Sequence, residues 1–187
     1  MQARQIPNLI SILRILLVPP VVLLLWEGHY GWALVLFLIA GVSDGIDGYL
    51  ARHYHWTSHL GAILDPFADK LLMVSTYLML GWLGDLAGWL VGLVIWRDVV
   101  IVAGTLLYRW RVGPVAFEPL VISKINTFCQ IALAVVSLLR ISGLESLVWL
   151  EELLVVVVSV TTLTSCLAYV FIWSRRARED LQRKETR

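Results

Sequence analysis

Charged residues are scarce in this 187-residue chain, because Asp, Glu, Lys and Arg together make up only 16% of it. A soluble domain usually carries about 25% charged and about 45–50% apolar residues. Here 59% of the residues are hydrophobic, which argues against a disordered chain or a water-soluble globule. Neither sign of charge dominates, since 15 Lys and Arg stand against 14 Asp and Glu. The chain therefore lacks the basic field of a nucleic-acid-binding protein, and no nucleic-acid partner is expected.

Cysteine is also scarce, which removes a disulfide framework from consideration. Cys129 and Cys166 both fall inside apolar runs, where we interpret them as small packing residues without metal-ligand spacing. A secretory signal peptide is not predicted, because the first apolar run is too long for one and contains Arg14.

Long apolar runs, in contrast, are abundant and predict an all-α integral membrane protein. A membrane-spanning helix needs about 20 mostly apolar residues. Six segments satisfy this, at roughly 8–26, 32–51, 61–83, 87–108, 122–142 and 147–173. Nine Trp and six Tyr suit a protein whose helix ends lie in the membrane interface. We expect one six-helix domain over 1–174, followed by a basic cytoplasmic tail at 175–187.

The distribution of charge between the connections predicts the orientation. With the N-terminus inside, the cytoplasmic segments hold most of the bases: Arg4, Arg52, Arg109, Arg111, Arg175, Arg176, Arg178, Arg183, Lys184 and Arg187. The external connections hold Glu27, Asp85, Glu145, Glu151 and Glu152, with Arg140 as their only base. This positive-inside pattern favours an even number of spans and cytoplasmic termini.

Four carboxylates interrupt the second and third apolar runs. Asp44 and Asp47 are three residues apart, and Asp65 and Asp69 are four apart, so each pair lies on one face of a helix. The short connection at 53–60 makes the two helices antiparallel neighbours, and all four acids can converge at the cytoplasmic level of the membrane. Ionisable groups inside a span are costly and usually functional.

Four clustered acids repel one another unless a cation lies among them. Carboxylate oxygens suit Mg²⁺, Mn²⁺ or Ca²⁺, and two-metal sites typically hold phosphoryl oxygens. Gly48 and Gly61 would let a bulky ligand approach the backbone. Buried salt bridges with Arg52, Lys70 or Arg97 are one alternative, and an ion or proton pathway is another. The clustering at one interface favours a metal site over a pathway across the bilayer.

The register D-x2-D-G-x2-A-R-x8-G-x3-D-x3-D, from Asp44 to Asp69, resembles the signature of the CDP-alcohol phosphatidyltransferases at every position. The opening Pro7-Asn8-Leu9-Ile10-Ser11, followed by Arg14, is similar to the start of the glycerophospholipid branch of that family. Six spans match its core. The resemblance implies an enzyme that transfers a phosphatidyl group from CDP-diacylglycerol to an alcohol hydroxyl and releases CMP. It also implies a homodimer.

The same resemblance implies roles for individual residues. Asp44, Asp47 and Asp65 would bind two divalent ions, Mg²⁺ or Mn²⁺, with Asp69 completing the site. Asp69 would also be the catalytic general base on the acceptor hydroxyl. Contacts with CDP-diacylglycerol are implied for Asn8, Arg14, Gly48, Ala51, Arg52 and Gly61.

The acceptor is indicated by two later segments. Family members that use glycerol 3-phosphate carry an Arg-Glu pair, another Arg about two turns on, and a Gly-Lys-x-Lys-Thr stretch in the next span. This chain has Arg97-Asp98, then Thr105, and Asn126 replaces one Lys after Lys124. The pattern is more similar to the eukaryotic-type cardiolipin synthases, whose acceptor is phosphatidylglycerol. Acceptor contacts are therefore implied for Arg97, Lys124 and Asn126.

Several alternatives stay open at this point. Phosphatidylglycerophosphate synthase, which uses glycerol 3-phosphate, is the runner-up within the family, and a non-catalytic transporter or lipid-binding scaffold is the rival from another class. Lys124 could simply extend to the membrane interface, and Arg97 could form a salt bridge with Asp98 or a motif aspartate. We expect a multi-pass protein of the bacterial inner membrane, with its active site on the cytoplasmic side.

Overall fold

The computed structural model describes the backbone of residues 6–53, 61–111 and 120–185, and the side chains of 10–43, 64–106 and 120–172. All regular structure in these segments is helical, which confirms the predicted all-α class. The helices are α1 (Ile6–Trp26), α2 (Tyr30–His53), α3 (Gly61–Leu83), α4 (Gly88–Arg111), α5 (Val121–Ile141) and α6 (Val148–Glu185), with a short 3₁₀ turn at Glu145–Leu147.

Three described segments are long and apolar enough to cross a membrane: Gly88–Leu106, Val121–Ile141 and Glu145–Ile172. Shorter apolar helical segments cover Ile10–Trp26 and Tyr30–Ser43. These segments support a membrane protein. The count of six spans and the cytoplasmic position of both termini stay predictions.

The last helix is longer than its apolar run. The hydrophobic pattern ends near 173, whereas α6 continues without a break to Glu185. Arg, Lys, Glu and Gln are good helix formers. The helix can therefore continue through the charged segment beyond the apolar run. The predicted basic tail at 175–187 is thus helical as far as Glu185.

The chain divides into two compact units. The first contains Met1–Ala87 and Ala134–Val148, and the second contains Gly88–Leu133 and Trp149–Arg187. In the first unit α1 packs against both α2 and α3, and α2 also contacts α3. This packing places the helices that carry the predicted metal-binding acids beside the helix that carries Arg14.

Two helices of the first unit end in the same type of turn that α1 makes at Gly28 (φ +79°). Gly84 (φ +86°) follows α3, and Gly143 (φ +118°) follows α5. In each turn the amide after the glycine donates to a carbonyl five residues earlier, as in a Schellman motif. Positive φ is strained for residues with a Cβ, so glycine is suited to both positions. Next to these turns, Arg140 forms an ion pair with Asp85 at 3.1 Å.

Candidate active site

Two of the four motif carboxylates lie among the described side chains, in the first turns of α3. Asp65 and Asp69 are four residues apart and share a face, as the spacing predicts. Two side chains of α1 contact this face. Ser11 Oγ donates a hydrogen bond to Asp65 Oδ1, and Arg14 donates from NH1 to Asp69 Oδ1 at 2.7 Å.

The two side chains of the Arg14–Asp69 pair differ strongly in their exposure to solvent. The Arg14 side chain is 1% exposed, whereas that of Asp69 is 49% exposed. A buried guanidinium is costly unless its charge is compensated, and the Asp69 carboxylate supplies that compensation. Arg14 is therefore fixed inside the helix packing while Asp69 stays accessible to a ligand. A contact between Arg14 and CDP-diacylglycerol stays a prediction.

Sequence reasoning missed Ser11 as a partner of the site. Ser11 was noted only as part of the opening motif, yet it is fully buried and bonded to Asp65. The available signal was a Ser and an Arg three residues apart in an otherwise apolar run, which places both on one helix face.

The remaining motif residues lie at or near helix ends, and their side chains fall outside the described residues. Asp44, Asp47, Gly48, Ala51 and Arg52 belong to the C-terminal part of α2. Asn8 lies in the first turn of α1, and Gly61 is the first residue of α3. Among the side chains that are described, no group of three or more His, Cys, Asp or Glu could hold a metal ion. Convergence of all four carboxylates therefore stays a prediction.

A second polar cluster lies inside the second unit around Arg97, which is only 3% exposed. Its NH1 donates to Asp98 Oδ1 at 2.8 Å, in an ion pair that the sequence left as one alternative. Its NH2 donates to Ser123 Oγ and, at 2.9 Å, to Ser165 Oγ. One guanidinium thus ties α4 to both α5 and α6.

Asn126 extends this cluster by one turn of α5. Its side chain is fully buried, and its Oδ1 accepts hydrogen bonds from Thr161 and Thr162 of α6, each at 2.8 Å. Lys124, in contrast, is exposed. Two of the three predicted acceptor-binding residues are therefore buried and hydrogen-bonded to other helices, whereas the third lies at the surface.

The hydroxyl partners in α6 were not predicted from the sequence. A run of Ser and Thr between Ser159 and Ser165 interrupts an otherwise apolar segment, and this run was the available signal. Polar side chains inside a span commonly form hydrogen bonds between helices. The run could have been identified as a helix contact, although not assigned to Arg97 or Asn126.

The two clusters differ in their chemistry. The α3 carboxylates offer hard oxygen ligands and a group that can accept a proton. The cluster around Arg97 offers N–H donors whose positive charge is largely offset by Asp98. Such a pattern suits a phosphate-bearing ligand in the second unit and a cation in the first.

Comparison with known proteins identifies the family. The model of the CDP-alcohol phosphatidyltransferase family matches residues 4–174, so the chain belongs to this family. Its members are enzymes and are generally dependent on a divalent metal.

Individual relatives carry two kinds of name. Cardiolipin synthase (CMP-forming) of Homo sapiens is 34% identical over 149 residues, covering 71% of this chain and 50% of that protein. Its counterpart from Rattus norvegicus is 35% identical over 149 residues, covering 71% and 49%. A CDP-diacylglycerol–glycerol-3-phosphate 3-phosphatidyltransferase of Cereibacter sphaeroides is 38% identical over 103 residues, covering 51% and 47%. The chain spans about half the length of these relatives.

Proposed function

We propose that this protein is a phosphatidyltransferase of the cardiolipin synthase type. It transfers the phosphatidyl group of CDP-diacylglycerol to a hydroxyl of phosphatidylglycerol and releases CMP, in glycerophospholipid synthesis. The observation that carries the proposal is the complete aspartate register from Asp44 to Asp69, with Asp65 and Asp69 on one face of α3 and in contact with α1. The family match and the relatives named cardiolipin synthase support it.

In this proposal the four aspartates hold two divalent ions, Mg²⁺ or Mn²⁺. The described donors fit such ions, because Asp65 and Asp69 present oxygen ligands and neither carboxylate is fully buried. When bound, the ions supply positive charge that neutralises the pyrophosphate of CDP-diacylglycerol and the departing CMP. Asn8, Gly48, Ala51, Arg52 and Gly61 lie along that substrate.

Asp69 is the catalytic base of the proposed reaction. Its exposed carboxylate accepts the proton of the acceptor hydroxyl as that oxygen attacks the phosphorus of the phosphatidyl group. Arg14 donates a hydrogen bond to this carboxylate at 2.7 Å and limits its rotation. Ser11 does the same for Asp65 through a neutral hydrogen bond.

The charge of the cluster around Arg97 favours an acceptor whose phosphate carries a single negative charge. Asp98 offsets Arg97, Asn126 is neutral, and Lys124 is the exposed cation of the predicted acceptor contacts. A phosphodiester carries one negative charge, whereas a phosphomonoester carries nearly two at neutral pH. Phosphatidylglycerol therefore fits this charge better than glycerol 3-phosphate. The two acyl chains of phosphatidylglycerol would remain in the bilayer.

Phosphatidylglycerophosphate synthase is the second candidate function. The relative from Cereibacter sphaeroides favours it, because its name specifies glycerol 3-phosphate as the acceptor. Both candidates use CDP-diacylglycerol as the donor and release CMP, and they differ only in the hydroxyl that attacks.

The proposal includes the setting of the enzyme. We place it as a homodimer with six spans in the bacterial inner membrane, with its active site and both termini on the cytoplasmic side. The apolar segments and the distribution of charged residues support the membrane location and the orientation, and the homodimer rests on the family resemblance alone.

An acceptor assay tests the proposal directly. Purified full-length protein in nanodiscs receives labelled CDP-diacylglycerol, Mg²⁺ or Mn²⁺, and one acceptor at a time. We expect cardiolipin and CMP with phosphatidylglycerol, and no release of CMP after EDTA is added. Turnover with glycerol 3-phosphate alone would select the second candidate. Turnover with only serine or inositol phosphate would exclude both, and lipid movement without CMP release would favour a transporter or scaffold.

A further inference from the structure

The Arg97 guanidinium is held from three directions inside the second unit. Asp98 lies next to it on α4, Ser123 is at the start of α5, and Ser165 is in the middle of α6. These contacts come from positions that are far apart in the sequence, so they depend on the packing of the three helices. Arg97 itself is buried, which fixes the plane of the guanidinium as well as its position.

The two serines occupy the donors that Arg97 would use for a phosphate. A guanidinium has five N–H donors, of which NH2 carries two. Ser123 and Ser165 accept both of these, while NH1 donates to Asp98. The Nε–H is buried and has no hydrogen-bond partner among the described residues. Three of the five N–H groups are engaged in these contacts, so the Nε–H and the second N–H of NH1 remain, on opposite sides of NH2 rather than as a parallel pair.

This arrangement weakens the binding of a phosphate by Arg97. Arginine binds phosphate most strongly with two parallel N–H donors, one of which usually comes from NH2. Because both bidentate faces of the guanidinium include NH2, its engagement by the two hydroxyls leaves only single contacts, through Nε–H or the second N–H of NH1. Restriction to a single contact weakens the binding of a singly charged phosphodiester less than the binding of a doubly charged phosphomonoester.

We propose that Ser123 and Ser165 are positioning residues that set the acceptor preference by limiting Arg97 to a single phosphate contact. This inference rests on the proposed function, because it assumes that Arg97 faces the phosphate of the acceptor. Ser165 differs in its contact with Arg97 from Ser159 and Thr164 of the same helix, which donate to carbonyls four residues earlier.

Removal of each hydroxyl tests the proposal. Ser123→Ala and Ser165→Ala release one NH2 donor each, and Ser123→Thr and Ser165→Thr keep a hydroxyl in place. The measurements are the KM for phosphatidylglycerol and the inhibition constant of glycerol 3-phosphate in the same transfer reaction. We expect each alanine variant to bind glycerol 3-phosphate about tenfold more tightly relative to phosphatidylglycerol, a change of about 1.4 kcal/mol. The KM for CDP-diacylglycerol should stay unchanged, and the threonine variants should restore the original ratio.

Ser159→Ala is the matched control, because it removes a hydroxyl of the same helix that is bonded only to the backbone carbonyl of Val155 in the described contacts. It should leave the ratio of the two constants unchanged. If Ser123→Ala and Ser165→Ala weaken both ligands equally, the serines only stabilise the fold and the proposal is wrong. Should Ser165→Ala fail to fold, Ser123→Ala makes the same comparison at the same nitrogen. A wild-type enzyme that does not use phosphatidylglycerol would refute the proposed function before any variant is compared.

Discussion

Two substitutions at Asp69 should separate the proposed catalytic role of its carboxylate from its structural role. Asp69→Asn keeps an oxygen at the position that accepts the hydrogen bond of Arg14, but it removes the negative charge. Asp69→Ala removes both. Because Arg14 is 1% exposed, water has little access to an N–H group that loses its acceptor. The alanine variant should therefore unfold more easily than the asparagine variant.

The size of this difference follows from the contact that is lost. A hydrogen bond that involves a charged group contributes about 1.5–3 kcal/mol, and an unsatisfied buried donor costs a similar amount. Asp69 is 49% exposed, so the desolvation of its own carboxylate adds little. We expect Asp69→Ala to lower the free energy of unfolding by about 1.5–3 kcal/mol more than Asp69→Asn does.

Catalysis should respond differently from stability. A general base contributes about 10²–10⁴-fold to a rate, and neither Asn nor Ala can accept a proton at this position. Both variants should therefore lose at least about 100-fold in CMP release. The two losses should be similar to each other, although the two stabilities are not.

The assay needs two measurements on the same preparations in detergent. Thermal unfolding is followed by tryptophan fluorescence, for which the nine Trp provide the signal, and CMP release is followed with labelled CDP-diacylglycerol. Glu152→Gln changes an exposed acid elsewhere in the chain and should affect neither. Equal stability of the two Asp69 variants would refute the structural role of the Arg14 contact. Wild-type CMP release from Asp69→Asn would refute the role of this carboxylate as base.

Three further predictions concern the first unit. Ser11→Ala should raise the Mn²⁺ concentration needed for half-maximal CMP release severalfold, because an Asp65 contact is lost, and Ser11→Thr should restore it. Arg140→Gln and Asp85→Asn should each reduce stability by about 1 kcal/mol without changing CMP release, and a double-mutant cycle should show that the two losses are coupled. Gly84→Ala should lower stability by about 1–2 kcal/mol, because its φ is +86°, whereas Gly88→Ala should not. Thermal unfolding measures both effects, and an equal response of the two glycine variants would contradict the turn geometry.

The helices could be predicted from the sequence because burial in lipid leaves a simple pattern. The predicted third segment, 61–83, coincides with α3, which begins at Gly61 and ends at Leu83. The end of α3 coincides with the point where its apolar run gives way to Gly84 and Asp85. The same pattern failed for the end of α6, because its last residues form a helix without needing to be buried.

The partners of the site residues were less predictable than the residues themselves. The spacing of Asp65 and Asp69 fixes their common face, since this depends only on the geometry of one helix. Their partners on α1 depend on how far that helix is shifted along α3, which no local pattern encodes. For Arg97, the sequence indicates a salt bridge with the adjacent Asp98 as one possible interaction. Ser165 lies 68 positions away, and only tertiary packing brings it close to Arg97.

The two buried arginines show how burial can give one residue type two chemical roles. Arg14 is paired with a carboxylate that is about half exposed, so the negative charge at the edge of this pair remains available to a ligand. Arg97 is paired with a carboxylate that is itself buried, and its remaining contacts are neutral hydroxyls. The first pair therefore presents an anion to its surroundings, whereas the second presents a nearly neutral set of N–H donors. A cation and a proton suit the first environment, and an uncharged or singly charged oxygen ligand suits the second. This division agrees with a lipid acceptor that carries only one phosphate charge.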